Sequence, residues 1–125
     1  MKNKNPILSR EQINKVMSLY SQGKFEEAIV QIKVLNEIYP NVPLLFNLIG
    51  ACYRQLGQLD GSIKMFKIAV ELQPDYAEAF FNLGSVLMEN KMIDEAIESY
   101  KKAISIQPNY PDAYNNLGNI LKNDK

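Results

Sequence analysis

The feature that most constrains this chain is an internal repeat of 34 residues. Pro40, Pro74 and Pro108 stand 34 apart, and Gly50, Gly84 and Gly118 keep the same step. So do the aromatics Phe46, Phe80 and Tyr114, the small residues Ala28, Ser62 and Ala96, and the large apolar residues Leu19, Tyr53 and Leu87. A chain built this way must stack its units, because one unit alone cannot bury its apolar face.

Each unit divides into two helices. Over 77–90, Phe80, Leu83, Gly84 and Leu87 fall at i, i+3, i+4 and i+7, which is one face of a helix. Ala96, Tyr100, Ala103 and Ile104 do the same in the stretch that follows. Residues 90–93 form the turn between them, and Asp94 is predicted to cap the second helix. Glu95 suits the positive end of that helix, and Glu98 stands four residues before Lys102, a favourable pair. Pro108 stops the helix, since it cannot donate and restricts Gln107 before it. Gly84 and Ala96 are expected to let the two helices approach closely, with Phe80 and Tyr100 filling the space on either side. Lys91 stands where Gly23 and Gly57 occur, so either a left-handed backbone is strained there or the turn differs.

On these residues the chain resembles the tetratricopeptide repeat, whose pattern is aromatic, Leu-Gly, large apolar, small, aromatic, Ala, Pro. Residues 77–110 match best, through Phe80, Leu83, Gly84, Leu87, Ala96, Tyr100, Ala103 and Pro108. Residues 43–76 follow with Phe46, Ile49, Gly50, Tyr53, Ser62, Phe66, Ala69 and Pro74. Residues 9–42 are degenerate at first, with Gln12 in the aromatic place and Val16 in the glycine place. They recover through Leu19, Gly23, Ala28, Ile32, Leu35 and Pro40. Residues 111–125 supply a fourth first helix, with Tyr114, Leu117 and Gly118. The expectation is an all-α fold, a right-handed superhelical array of antiparallel helix hairpins over 9–125, preceded by a polar, flexible segment over 1–8. Because the fourth unit stops half-way, the sequence reads as a piece of a longer array.

The resemblance implies that first helices line a concave groove and second helices form its back. Side chains of the first helices that turn away from the core are then groove residues. They are Asn14 and Met17, then Asn47, Ala51 and Arg54, then Phe81, Asn82, Ser85 and Met88, and finally Asn115, Asn116 and Asn119. Asn14, Asn82 and Asn116 share one register, interrupted by Leu48 with Asn47 beside it. A carboxamide offers a donor and an acceptor together, so such a row suits the backbone of an extended peptide. Family modules that grip the acidic C-terminus of chaperones use basic groove residues. In those places this chain has Ile13, Glu78 and Asp112, so the carboxylate clamp is absent.

Composition excludes more than it suggests. Basic and acidic residues number 14 each, which leaves no net cation for nucleic acid. The absence of histidine removes the commonest general base and metal ligand, and with it a Ser/His/Asp arrangement. Cys52 is the single cysteine, read as a small buried apolar group. The six glycines are isolated and form no phosphate loop. Glu26-Glu27 and Asp94-Glu95 open second helices, where capping accounts for them. Tyr20, Tyr39, Tyr76 and Tyr110 fall near helix ends, where packing is their default role. Met1 to Pro6 lack the apolar core of a leader, so the expected location is the cytoplasm.

These readings predict no catalytic, cofactor-binding or metal site, hence no enzyme, and neither nucleic acid nor membrane as a partner. The expected function is a scaffold that binds an extended peptide or partner protein in the groove. The alternative is the non-catalytic, substrate-presenting part of a larger glycosyltransferase or sulfotransferase. Self-association through the terminal helix is a further expectation.

Overall fold

The computed structural model describes residues 7–123, so most of the predicted flexible segment and the last two residues lie outside it. The described residues form α-helices joined by short turns, with no strand among them. The helices are α1 (Arg10–Ser21), α2 (Phe25–Ile38), α3 (Pro43–Gln55), α4 (Leu59–Leu72), α5 (Ala77–Glu89), α6 (Ile93–Ile106) and α7 (Pro111–Asn123). They make three hairpins, α1–α2, α3–α4 and α5–α6, with α7 packed on the last.

Local chemistry sets the boundaries. A capping box opens α1: Ser9 Oγ accepts from the Gln12 backbone N–H at 3.1 Å, and Gln12 Oε1 accepts from the Ser9 N–H at 2.9 Å. Pro43 is the first residue of α3 and Pro111 that of α7, where a missing N–H costs nothing. At the other end, Tyr39, Gln73 and Gln107 each leave helical geometry, with φ of −124°, −135° and −126°, because each precedes a proline.

The three turns within hairpins are one motif. The N–H groups of Lys24, Gln58 and Met92 donate to the carbonyls of Leu19, Tyr53 and Leu87 at 2.9, 2.9 and 2.8 Å. Those of Gly23, Gly57 and Lys91 donate to Tyr20, Arg54 and Met88, each at 3.0 Å. This is the Schellman pattern, and it requires a left-handed residue after the cap. Gly23 and Gly57 have φ of +75°, and Lys91 takes the same conformation at +63°. The turn is conserved at Lys91, at the expense of strain that glycine avoids.

Several local expectations are corrected. Asp94 does not cap α6: Met92 occupies the cap position and no side chain bonds there, so Asp94 and Glu95 lie inside the first turn. Glu26 and Glu27 stand likewise in α2. All four act through the helix dipole rather than through capping. Among the described residues the ion pairs are Arg54–Glu89 and Lys67–Glu95, so Glu98 and Lys102 remain apart. Gly84 meets Tyr100 rather than Ala96: a Cβ placed on it would lie 2.9 Å from ring atoms of Tyr100. Gly50 likewise lies under Phe66, where an added Cβ would meet the ring at 2.8 Å. The glycines therefore admit an aromatic ring onto the first helix, and the ring sits over the glycine rather than beside it.

Each core layer joins a second helix to the first helix of the next unit, which is why the hairpins stack. Ile29, Ile32 and Leu35 of α2 are buried with Val16 of α1 and Leu45, Ile49 and Cys52 of α3. Ile63 and Phe66 of α4 are buried with Leu83, Val86 and Leu87 of α5, and this layer continues through Ala96 and Tyr100 to Ala113 and Ile120 of α7.

Candidate peptide-binding groove

Two cavities open along the side of the array formed by α1, α3, α5 and α7. The smaller, about 210 Å³, is lined by Met17, Tyr20, Asn47, Leu48, Ala51, Arg54, Gln55, Phe66, Glu78 and Asn82. The larger, about 450 Å³, is lined by Arg54, Ser85, Met88, Ile93, Tyr100, Asn116, Asn119, Ile120 and Asn123.

A directed chain of hydrogen bonds lies against the larger cavity. Asn116 Nδ2 donates to the Tyr100 hydroxyl at 3.3 Å. That hydroxyl lies 2.9 Å from Ser85 Oγ, which itself donates to the Phe81 carbonyl at 3.1 Å. Since serine has one hydrogen, Tyr100 must be the donor in the middle link. At the smaller cavity, Asn82 Nδ2 donates to Asn47 Oδ1 at 3.0 Å. Asn82 and Asn116 are thus held the same way round, each by its NH₂ group. The side-chain oxygen of each has no partner among the described residues, which leaves two acceptors 34 residues apart.

Electrostatically the groove is close to neutral, with an acidic edge. Arg54 Nε donates to Glu89 Oε1 at 2.6 Å across α3 and α5. Burial raises the Tyr76 hydroxyl pKa above its ordinary value and Glu78 adds to this, while a hydrogen bond with Asn47 works the other way. Tyr110 is raised by burial, then by Glu78 and Asp112. Both acids therefore act on one tyrosine at the start of neighbouring first helices.

Of the residues named from sequence, Met17, Asn47, Ala51, Arg54 and Asn82 meet at the smaller cavity, and Arg54, Ser85, Met88, Asn116 and Asn119 at the larger. Asn47 is 4% exposed, so its carboxamide serves the interior as well as the groove. Asn14 and Asn115 are exposed and line neither cavity. Phe81 packs inward, its ring 5.1 Å from Tyr110 and stacked, and 5.7 Å from Tyr100. Sequence reasoning passed over Tyr20, Leu48, Gln55, Phe66, Ile93, Tyr100, Ile120 and Asn123 as lining residues. Tyr20 could have been found, because it shares the register of Arg54 and Met88, one repeat earlier.

The model of the TPR repeat matches residues 50–91 and 84–124. The chain belongs to the tetratricopeptide repeat family. Solved tetratricopeptide domains share its fold. The first TPR of Spaghetti (RPAP3), bound to the HSP90 peptide SRMEEVD, superposes with a TM-score of 0.87 at 23% identity, covering 96% of this chain and 97% of that one. The Sgt2 TPR domain from Aspergillus fumigatus gives 0.85 at 19% identity, covering 91% and 79%. MamA gives 0.84 at 24% identity over 89% of this chain, which spans 65% of the length of MamA. No curated protein matches the sequence. No helix among the described residues is long and apolar enough to cross a membrane.

Proposed function

We propose that this tetratricopeptide array is a non-catalytic scaffold that holds an extended peptide segment of a partner protein in its groove. The observation that carries the reading is the pair Asn82 and Asn116. Each amide is oriented by its own hydrogen bond, and each leaves an acceptor beside a cavity at the repeat spacing. A peptide N–H can donate to each oxygen, while neighbouring side chains enter the cavities. That tetratricopeptide neighbours were solved with HSP90 and HSP70 peptides supports an extended peptide as the ligand class. Ile13, Glu78 and Asp112 argue against the acidic chaperone terminus itself. The comparisons lend no support to a substrate-presenting portion of a transferase.

The test is affinity capture from lysate with the parent and an Asn116→Ala, Asn119→Ala variant. These two residues are preferred to Asn82, whose loss would strand the buried Asn47. A protein held by the parent and lost by a variant with unchanged circular dichroism supports the groove. Equal retention by both removes it.

A second reading rests on α7, where Tyr114 and Leu121 are 51% and 52% exposed and Gly118 faces open space. That face would take a second copy of the chain. Light scattering across a concentration series decides, and a constant monomer mass rejects it.

A further inference from the structure

The two cavities are copies of one another. Tyr20, Ala51, Arg54, Phe66 and Asn82 at the smaller cavity become Arg54, Ser85, Met88, Tyr100 and Asn116 at the larger, each 34 residues on. Equivalent positions of successive repeats therefore line both cavities, with different chemistry in each. The smaller has apolar walls in Phe66, Leu48, Ala51 and Met17, and its polar lining is largely engaged already, through Asn82–Asn47, Gln55–Tyr20 and Arg54–Glu89, with Glu78 beside it. The larger has apolar walls in Met88, Ile93 and Ile120 and polar groups in Ser85, Tyr100 and Asn116.

Building on the scaffold reading, we propose that the groove reads two side chains of one extended peptide and rejects acidic peptides. An aliphatic side chain enters the smaller cavity. A long uncharged side chain with a polar tip, tyrosine or glutamine, enters the larger. The spacing follows from the fold. α3 and α5 are direct neighbours, joined by Arg54–Glu89 and Asn47–Asn82. Neighbouring helix axes lie about 10 Å apart and an extended chain advances about 3.3 Å per residue, so the two side chains are about three residues apart.

Charge determines what is excluded. Among the described residues the one cation lining either cavity, Arg54, is taken by Glu89, and Glu78 lines the smaller cavity. A peptide carboxylate entering there would lose water beside a like charge and find no free cation. The neighbours' ligands SRMEEVD and SGPTIEEVD, each with two glutamates and an aspartate, have the opposite character.

The experiment is selection of a displayed library of random dodecapeptides on the folded chain, followed by fluorescence anisotropy with synthetic peptides. Enriched sequences should pair an aliphatic residue with tyrosine or glutamine at a separation of about two to four residues. Replacing either residue by glutamate should weaken binding at least about tenfold, equivalent to roughly 1.4 kcal/mol. Ala51→Leu should abolish only the aliphatic preference and Asn119→Leu only the polar one, with circular dichroism confirming the fold of each. Enrichment of acidic peptides, or of peptides with no fixed spacing, overturns the two-pocket inference and leaves the scaffold reading standing. If nothing is enriched above a mock selection, the scaffold reading falls, and this inference falls with it.

Discussion

In α3–α4 the glycine at the helix crossing lies under Phe66 with Ala51 beside it, whereas in α5–α6 it lies under Tyr100 with Ser85 beside it. The rings sit equally close, at 2.8 and 2.9 Å from an added Cβ, so the steric solution is shared and the polar one is not. The second hairpin spends its hydroxyl elsewhere: buried Ser62 Oγ donates to the Gly50 carbonyl at 2.7 Å, a link that Ala96 cannot make in the third. Here the repeat fixes volume, and polar groups vary wherever a partner is within reach. The degenerate first hairpin agrees. Val16 and Ile32, in the glycine and aromatic places, are both fully buried. A larger first-helix residue there faces a smaller second-helix one, consistent with a shared volume.

The largest expected effect attacks that shared volume. Gly84→Leu drives a side chain into a Tyr100 ring that Ser85 and Asn116 also hold, so the ring has little freedom to swing away. Destabilisation of about 3 kcal/mol is expected, the upper end for overpacking, read from a urea transition. Gly50→Leu should cost a comparable amount, since Phe66 is as close. A parent-like transition for either variant would show that the crossing is looser than the distances imply.

The hydroxyl of Tyr100 gives the next effect. Tyr100→Phe removes the hydroxyl that Ser85 and Asn116 both bond, leaving Ser85 only its link to the Phe81 carbonyl, and should cost about 1–2 kcal/mol. Adding Ser85→Ala rebuilds the Ala51/Phe66 arrangement of the second hairpin and should recover most of the loss. A double-mutant cycle measures this directly. Strict additivity would mean that the hydrogen bond between the two side chains contributes nothing.

The turns provide a smaller contrast, because the second hairpin has Gly57 where the third has Lys91 in the same left-handed conformation. Lys91→Gly should stabilise by up to about 1 kcal/mol, the strain relieved less the added freedom of the unfolded chain. Gly57→Lys should destabilise by about the same amount. Opposite signs in the two thermal melts are the outcome to look for.

The 34-residue step made hairpins, stacking and most core positions legible before any coordinates, because it marks residues held in equivalent surroundings. What the step could not carry was contact between residues in different registers. Ser85, Tyr100 and Asn116 come from three helices, and nothing in their sequence spacing announces that Tyr100 will bond both of the others. Arg54 and Glu89 are 35 apart, one more than the repeat, so a rule built on i,i+4 pairs finds Glu98–Lys102 and misses the pair that forms. The assignment of Asp94 as a cap failed by two residues, because the helix starts after a backbone-made turn that needs no side-chain cap. The asparagine register was legible as a pattern. Which way each amide points was not, because that depends on Asn47 for one and on Tyr100 for the other.

The smallest effect concerns another pair of equivalents, Cys52 in α3 and Val86 in α5, both completely buried. Burial pushes the Cys52 thiol from 9.0 up to about 11. The neutral form is thus favoured in the folded chain, and the unfolded chain loses its proton first as pH rises. Stability from this site is fully present below about pH 9 and declines between pH 9 and 11. Cys52→Val copies the third hairpin and should change stability at pH 7 by less than about 1 kcal/mol. Tyr76 and Tyr110, also raised by burial, titrate in parent and variant alike, so their contribution cancels in the difference. Urea transitions at pH 7 and pH 10 should therefore show the variant gaining on the parent as pH rises. A gap that does not widen would mean that the thiol ionises in the folded chain as readily as in the unfolded one, and that the α3 position is less sealed than its Val86 counterpart.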